Sequence, residues 1–445
     1  MKNQYPVFNF KQITLRLGEE TCCFRRINPK GQILLVKSPC AWQIFRQFDG
    51  TKTLDGVATA LAPVFEITPE VLLNDIKEMI FPLLENNILT LSDTPKVQNS
   101  PALKIIAPRL RKSLHIDLTE ICNEKCIHCL ADKDSKTLPL SVVLSALESG
   151  SKAGLHELSL SGGEALLHPD FWQILEYARA LGYNVTLFSN GLKIDEKTAA
   201  KLADLNMDNI RLSVYSTDET VHDKITQVQG SLKRTLKAAQ LLKQYGNKVF
   251  INCPVMKVNF STAEQVRDYC LQNNFEFNLD ANIQPTRDGR CDNNSLKLSH
   301  EEKKHITELM FPQGPLGYNV EKDKLICAAG SGQNYYIDSK GNVSICSTMP
   351  QFIGNIKQQD FFDIIQADTL TPQCAAITID TLQKCKKCEL RLACQRCHAR
   401  ALRESGSLQG CAKTDLAFAL VYRQIMQERN VWNKNKHKEK QDEIY

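Results

Sequence analysis

The 445-residue chain contains no window approaching the roughly 18 consecutive apolar residues that a membrane span requires. Its opening segment, MKNQYPVFNFKQITLRLG, lacks the uninterrupted apolar core of a signal peptide, so the expected location is the cytoplasm, with no membrane partner. It shows no internal repeat. Charge of one sign is not in excess: a formal +5 is spread through mixed-sign sequence, and the densest basic run is NKNKHKEK near the end. No nucleic-acid partner is expected on that basis. With 42% apolar residues, a chain this long can build two or three domains with sizeable cores.

Cysteine, by contrast, is abundant. A reducing compartment disfavours disulfides and a chain of this size does not need them as staples, so seventeen cysteines point to metal or catalytic use. They concentrate in two places. ICNEKCIHCL at 121–130 holds Cys122, Cys126 and Cys129, while Cys327, Cys346, Cys374, Cys385, Cys388, Cys394, Cys397 and Cys411 crowd the last third. Cys22, Cys23, Cys40, Cys253, Cys270 and Cys291 are scattered and read as small buried hydrophobes.

The pattern of apolar residues divides the chain. Residues 1–95 carry three short strands, ITLRL, TCCFRRI and QILLVK, followed by three helical segments, SPCAWQIFRQF, LDGVATALAPVF and PEVLLNDIKEMIFPLLENNI. In the last of these, Val71, Leu72, Ile76, Ile80, Leu83 and Leu84 form a helical stripe that predicts a core face. A turn-rich, polar stretch makes 96–112 a linker.

From 113 to 317 six apolar strands, LHIDL, HELSLS, NVTLFS, NIRLSVY, KVFINCPV and FEFNLDANI, alternate with helical stretches. This predicts an α/β domain with a parallel sheet and right-handed crossovers, whose ligands bind at the carboxyl ends of the strands. Residues 318–425 are loop-rich and cysteine-dense, ending in the amphipathic LAFALVYRQIMQE, and 426–445 form a charged tail.

ICNEKCIHCL falls in the loop after the first of those six strands. Zinc sites usually close a tetrahedron with four protein ligands, whereas three thiolates on one loop hold three corners. A 4Fe-4S cluster ligated in this way keeps one iron open as a binding site.

Cys122-x3-Cys126-x2-Cys129 in that position, with Ser161-Gly162-Gly163-Glu164 at the end of the second strand, resembles the radical S-adenosylmethionine (SAM) enzymes. The resemblance implies a partial (β/α)6 barrel of the TIM type. It also implies a catalytic cluster on Cys122, Cys126 and Cys129 whose open iron chelates SAM. An electron from a donor such as flavodoxin or ferredoxin then cleaves SAM to a 5'-deoxyadenosyl radical. Gly162 and Gly163 would let the backbone approach the amino-acid end of SAM, and Glu164 would accept from its ammonium. Ser189, Asn190 and Ser213 match the family's polar contacts to SAM. Thr226 stands where many relatives carry an arginine for the SAM carboxylate, and Lys224 is the substitute.

Cys327-x13-Gly341-x4-Cys346, then Cys385-x2-Cys388-x5-Cys394, Cys397 and Cys411, resembles the SPASM domain, which holds two auxiliary 4Fe-4S clusters and would bring the total to three. By the family arrangement Cys385, Cys388, Cys394 and Cys411 close one cluster. Cys327, Cys346 and Cys397 hold the other, which keeps an open iron unless Cys374 or another group fills it. A departure is the two-residue gap between Cys394 and Cys397, where three is usual.

Residues 1–95, strand-rich with three helices, resemble the winged-helix-like peptide-recognition element of ribosomal peptide maturation, which binds a precursor's leader segment as an added strand. QILLVK and PEVLLNDIKEMI are the expected groove walls, with Leu34 on the binding edge. The whole therefore resembles a peptide maturase that installs a cross-link, thioether or carbon–carbon, in a ribosomally made precursor peptide. Ser347 stands where the sulfatase-maturing branch carries an aspartate base, which argues against simple oxidation to an aldehyde. The alternatives are peptide epimerisation, with Cys253 or Cys291 as hydrogen donor, a small-molecule or cofactor biosynthetic enzyme, and a zinc-based binding scaffold.

Overall fold

The computed structural model describes residues 1–26, 33–108, 110–130, 136–284, 292–313 and 327–429. Cys291 and most of the charged tail lie outside the described residues. The first part of the chain runs through strands Tyr5–Phe8 (β1), Ile13–Gly18 (β2), Thr21–Arg26 (β3) and Ile33–Lys37 (β4). Helices Ala41–Phe45 (α1), Leu54–Leu61 (α2) and Pro69–Glu85 (α3) follow, then strands Leu89–Ser92 (β5) and Ile106–Ala107 (β6). Thr53 and Thr68 start α2 and α3 by accepting from the N–H groups of Gly56 and Val71, satisfying donors that a helix start leaves orphaned.

The sheet order is β4-β3-β2-β6, which leaves β4 at an edge, and β1 pairs separately with β5. Ile13, Leu15 and Leu17 alternate into a core with Phe8, Phe24, Phe45 and Phe48, where Phe24 and Phe45 meet edge to face at 5.0 Å. Along α3 the buried stripe is Leu72, Leu73, Ile76, Ile80 and Leu83. Val71 is 49% exposed, contrary to the expected stripe, because it precedes Leu72 by one residue and so lies about 100° around the helix from it. Residues 101–107, polar and turn-rich in their surroundings, pack here too: Ala102 and Leu103 are buried in this core, and β6 pairs with β2.

The second part supplies Arg111–Asp117 (β7), Leu140–Lys152 (α4), Leu155–Ser161 (β8), Phe171–Ala180 (α5), Asn184–Ser189 (β9), Glu196–Asp204 (α6) and Asn209–Ser213 (β10). Glu219–Thr226 (α7), Ser231–Gln244 (α8), Val249–Pro254 (β11), Ala263–Gln272 (α9), Glu276–Asp280 (β12) and His300–Met310 (α10) complete it. Strands β7 to β12 are parallel and adjacent in chain order. Because that order never reverses, right-handed crossovers put every helix on the same face of the sheet. Leu114, Ile116 and Leu118 enter that helix-covered core, while the alternate residues Ser113, His115 and Asp117 face the other way.

The last part adds Asn334–Ile337 (β13), Asn342–Ser344 (β14), Gly354–Asn355 (β15), Phe361–Gln366 (α11), Leu370–Ala375 (α12), Gln383–Lys386 (α13), His398–Ser405 (α14) and Lys413–Glu428 (α15). The hairpin YYIDSKGNVSIC forms as its sequence suggests, with Gly341 at φ +91° in the turn. It is not a free-standing unit. β13 pairs in parallel with β7, Asn334 opposite Ser113 and Tyr336 opposite His115, which extends the sheet to nine strands.

The first domain docks through the polar residues of its strands. Arg16, 2% exposed, donates to the Ser151 hydroxyl and lies 5.0 Å from the Tyr183 ring centre. Arg25 bridges Glu157 at 3.2 Å and Asp208 at 3.0 Å, close to the amino-terminal ends of β8 and β10. Among the described residues no helix is long and apolar enough to cross a membrane.

Candidate functional site

At the opposite rim, the chain leaving β7 continues the β7–β8 pairing past the strand ends. Gly163 N–H donates to the Thr119 carbonyl at 2.7 Å and Glu164 N–H to that of Ile121 at 2.9 Å. The glycines are needed for this approach. A Cβ on Gly162 would stand 2.3 Å from the Thr119 oxygen, and one on Gly163 would stand 2.6 Å from the oxygens of Glu120 and Ile121. The cysteine loop's own backbone leaves no room for side chains here.

Glu164 is bound into the protein itself. It is 1% exposed, and its carboxylate accepts from Ser189 Oγ at 2.9 Å, Asn190 N–H at 2.8 Å and Leu166 N–H at 3.1 Å. It therefore ties the end of β8 to the loop after β9. Asn190 carries the tie onward, its Nδ2 donating to Asn123 Oδ1 at 2.7 Å and lying 3.8 Å from Cys122 Sγ. Three strand ends are thus joined around the first cysteine.

Cys126 is held from the other side. Its sulfur is 3.3 Å from Glu124 Oε2 and 3.8 Å from the Tyr215 hydroxyl, and Lys125 and Ile127 N–H groups donate to the carbonyls of Thr226 and Ile225 at the end of α7. Tyr215 follows directly on β10, where Ser213 lies half-buried within hydrogen-bond reach of it. Burial pushes the Cys122 thiol up to about 11, and it pushes the Cys126 thiol higher still, with the Glu124 charge adding to it. Such thiols ionise only with a compensating positive charge, which is what a metal centre provides.

Lys224, expected as the cation for the SAM carboxylate, stands exposed on α7, and the Thr226 hydroxyl is buried against Ser231 at 2.7 Å. The field of Arg234 on α8 reaches Glu124.

A cavity of about 310 Å³ opens beside the cysteine loop, lined by Cys129, Ser161, Gly162, His115, Asp117 and Gln284 from the barrel side and by Ser347, Thr348 and Arg403 from the last third of the chain. Asp117 accepts from Tyr336 Oη at 2.6 Å and faces His115 Nε2 at 3.1 Å. Tyr336 reaches this floor only because β13 pairs with β7.

The remaining cysteines gather in two groups. Cys327 and Cys397 share a hydrogen bond, which pulls the Cys327 thiol down to about 6 and pushes Cys397 up, and Cys346 lies within reach of Cys397's charge. Cys394 and Cys411 lie within reach of the charges of Cys385 and Cys388, and a cavity of about 310 Å³ is bordered by Cys385 and Cys411. Among the described residues no three His, Cys, Asp or Glu side chains converge on a point that could hold a single metal ion. Both groups are all-thiol donor sets, three cysteines and four, which is the ligand chemistry that iron–sulfur clusters use.

Residues 116–270 match the model of the Radical SAM superfamily, and the central domain is a radical SAM domain. The AdoMet-dependent heme synthase of Methanosarcina barkeri (strain Fusaro / DSM 804) is 24% identical over 338 residues, covering 67% of this chain and 94% of that one. The antilisterial bacteriocin subtilosin biosynthesis protein AlbA of Bacillus subtilis (strain 168) is 23% identical over 387 residues, 81% of this chain and 84% of that one. The crystal structure of Streptococcus suis SuiB bound to precursor peptide SuiA superposes with a TM-score of 0.62 at 16% identity, covering 92% of this chain and 99% of that one. At that identity the likeness is one of fold.

Proposed function

We propose that this protein is a radical SAM peptide maturase that binds the leader of a ribosomally made precursor through residues 1–95 and cross-links its core segment at the cavity beside Cys129. A 4Fe-4S cluster on Cys122, Cys126 and Cys129, with SAM at its open iron, supplies reductive cleavage of the sulfonium to a carbon radical that removes hydrogen from an unactivated C–H bond. The chain's own part is positioning. Asn190 and Glu164 hold the cysteine loop against the ends of β8 and β9, Tyr215 backs Cys126, and the cavity walls from the barrel and from the last third hold the substrate side chain and exclude water. The two groups of carboxy-terminal cysteines are read as a SPASM domain with two auxiliary clusters, fed with electrons by a flavodoxin- or ferredoxin-type donor.

The observation that carries the peptide reading is the edge strand β4. Ser38 N–H donates to the Glu20 carbonyl, so the pairs two and four residues along, Cys22 with Val36 and Phe24 with Leu34, are the hydrogen-bonded ones. The backbone N–H groups of Leu35 and Lys37 consequently point away from β3, toward the open edge. Leu35 is also 50% exposed. A domain docked on the barrel with such an edge suits an added peptide strand, whereas a small-molecule reaction leaves it unexplained. The relation to a heme synthase favours the cofactor reading, but that relative aligns with only 67% of this chain. Co-expression with the short reading frames adjoining the gene, followed by mass spectrometry, tests the reading. A loss of two hydrogens from a peptide is the expected result. Unchanged mass with deuterium uptake means epimerisation, and no peptide change in any frame returns the cofactor reading.

A further inference from the structure

Cys327, Cys346 and Cys397 leave one corner of their group that no motif fills, and the fold brings a fourth thiol there. Cys374 belongs to α12, whose backbone presses on the turn that begins at Cys327. A Cβ on Gly330 in that turn would stand 2.9 Å from the Ala375 nitrogen and 3.0 Å from the Cys374 carbonyl carbon. Cys374 is 0% exposed and lies in the apolar cluster against which Cys327, Cys346 and Cys397 all pack. Its thiol is within electrostatic reach of Cys346 and Cys397. Simple burial, the usual fate of an isolated cysteine, predicts no such company. Cys270, equally buried in α9, has Cys253 as its one thiol neighbour among the described residues.

We infer that Cys374 is the fourth thiolate ligand of an iron–sulfur cluster held with Cys327, Cys346 and Cys397, which closes that cluster to external ligands. The inference rests on the iron–sulfur reading of the carboxy-terminal cysteines. Ligation forms one Fe–S bond and breaks one S–H bond, the proton leaves to solvent, and no electron changes hands. A closed cluster cannot capture a substrate thiolate. Thioether formation by way of a cluster-bound substrate cysteine is then excluded, and the cluster is left to structure and electron transfer.

The test uses the full chain with Cys122, Cys126 and Cys129 all replaced by alanine, so that the open iron of the SAM site does not contribute. After anaerobic reconstitution this parent should hold roughly eight irons, two cubanes' worth. Adding Cys374→Ala should lower the count toward about four, or keep it while 2-mercaptoethanol shifts the electron paramagnetic resonance spectrum of the variant and not of the parent. Cys374→Ser covers the case in which the alanine variant does not fold, and it should shift the spectrum through oxygen ligation. Cys270→Ala, which opens a similar hole in the core, should leave iron and spectrum unchanged. Equal iron and identical spectra in the parent and both Cys374 variants would overturn the assignment alone, as would a thiol-induced shift in the parent. Zinc in place of iron in the parent would overturn the cluster reading beneath it.

Discussion

The carboxylate of Glu164 is buried without an ion-pair partner among the described residues, and three donors from two loops supply what water would have supplied. His222 shows the opposite case. Its ring is 0% exposed behind Tyr215, with Nδ1 near the Ser231 hydroxyl at 3.0 Å. Burial lowers its pKa from 6.5 to about 4, so the folded chain keeps it neutral where the unfolded chain protonates it. The unfolded state therefore binds more protons between those values. The His222 contribution is fully present above pH 6.5 and is lost as pH falls toward 4, by about 3 kcal/mol at most. Urea denaturation across this range should show a shallower acid slope for His222→Asn than for the parent, even though the variant is less stable at pH 7.5. Parallel slopes would mean His222 is not held neutral.

Among the elements, the extension of β8 by Gly162 and Gly163 and the edge strand β4 give the sharpest expectations. Gly163→Ala forces a Cβ onto two backbone oxygens that no side-chain motion can relieve. The cysteine loop should detach, costing about a third of the iron and all 5'-deoxyadenosine formation, while the two carboxy-terminal groups keep theirs. Retained iron in a folded variant would show that the loop does not depend on this ladder. In β4 the strand phase corrects the sequence expectation for Leu34. Its N–H is spent on β3, so proline there breaks the native sheet, whereas Leu35→Pro removes an edge donor only. Leu35→Pro should weaken leader binding about tenfold, roughly 1.4 kcal/mol, with SAM cleavage in the absence of peptide intact. Fluorescence titration with labelled leader measures the first quantity and product analysis the second.

Across the whole molecule, Arg16 and Arg25 join the first domain to the barrel near the amino-terminal ends of its strands, while the cysteine loop lies at the carboxyl ends. The edge strand β4 and the cavity are therefore held in a fixed relation across the height of the sheet. Arg25→Ala removes both bridges of a half-buried arginine and should loosen the docking by about 1–2 kcal/mol. Leader affinity and peptide-free SAM cleavage should persist while modification of full-length precursor falls several-fold, and limited proteolysis between the domains should quicken. Equal processing by the variant would show that docking does not set the reach of the core segment.

What could be read in advance followed from short-range rules. Alternation with a period of two placed all six barrel strands and β2 to β4, helical spacing placed α3 and α15, and cysteine spacing picked out the loop after β7 and the crowded last third. Those rules act between residues a few positions apart, so a linear reading contains them. Which chain segments meet across the fold was not contained there. The pairing of β13 with β7 put Tyr336 on Asp117 in the cavity lining, the close approach of α12 to the turn after Cys327 brought Cys374 within reach of Cys346 and Cys397, and the phase of β4 decided which N–H groups face outward. Each depends on packing between segments distant in sequence, or on hydrogen-bond parity set by a partner strand, and residue order carries neither.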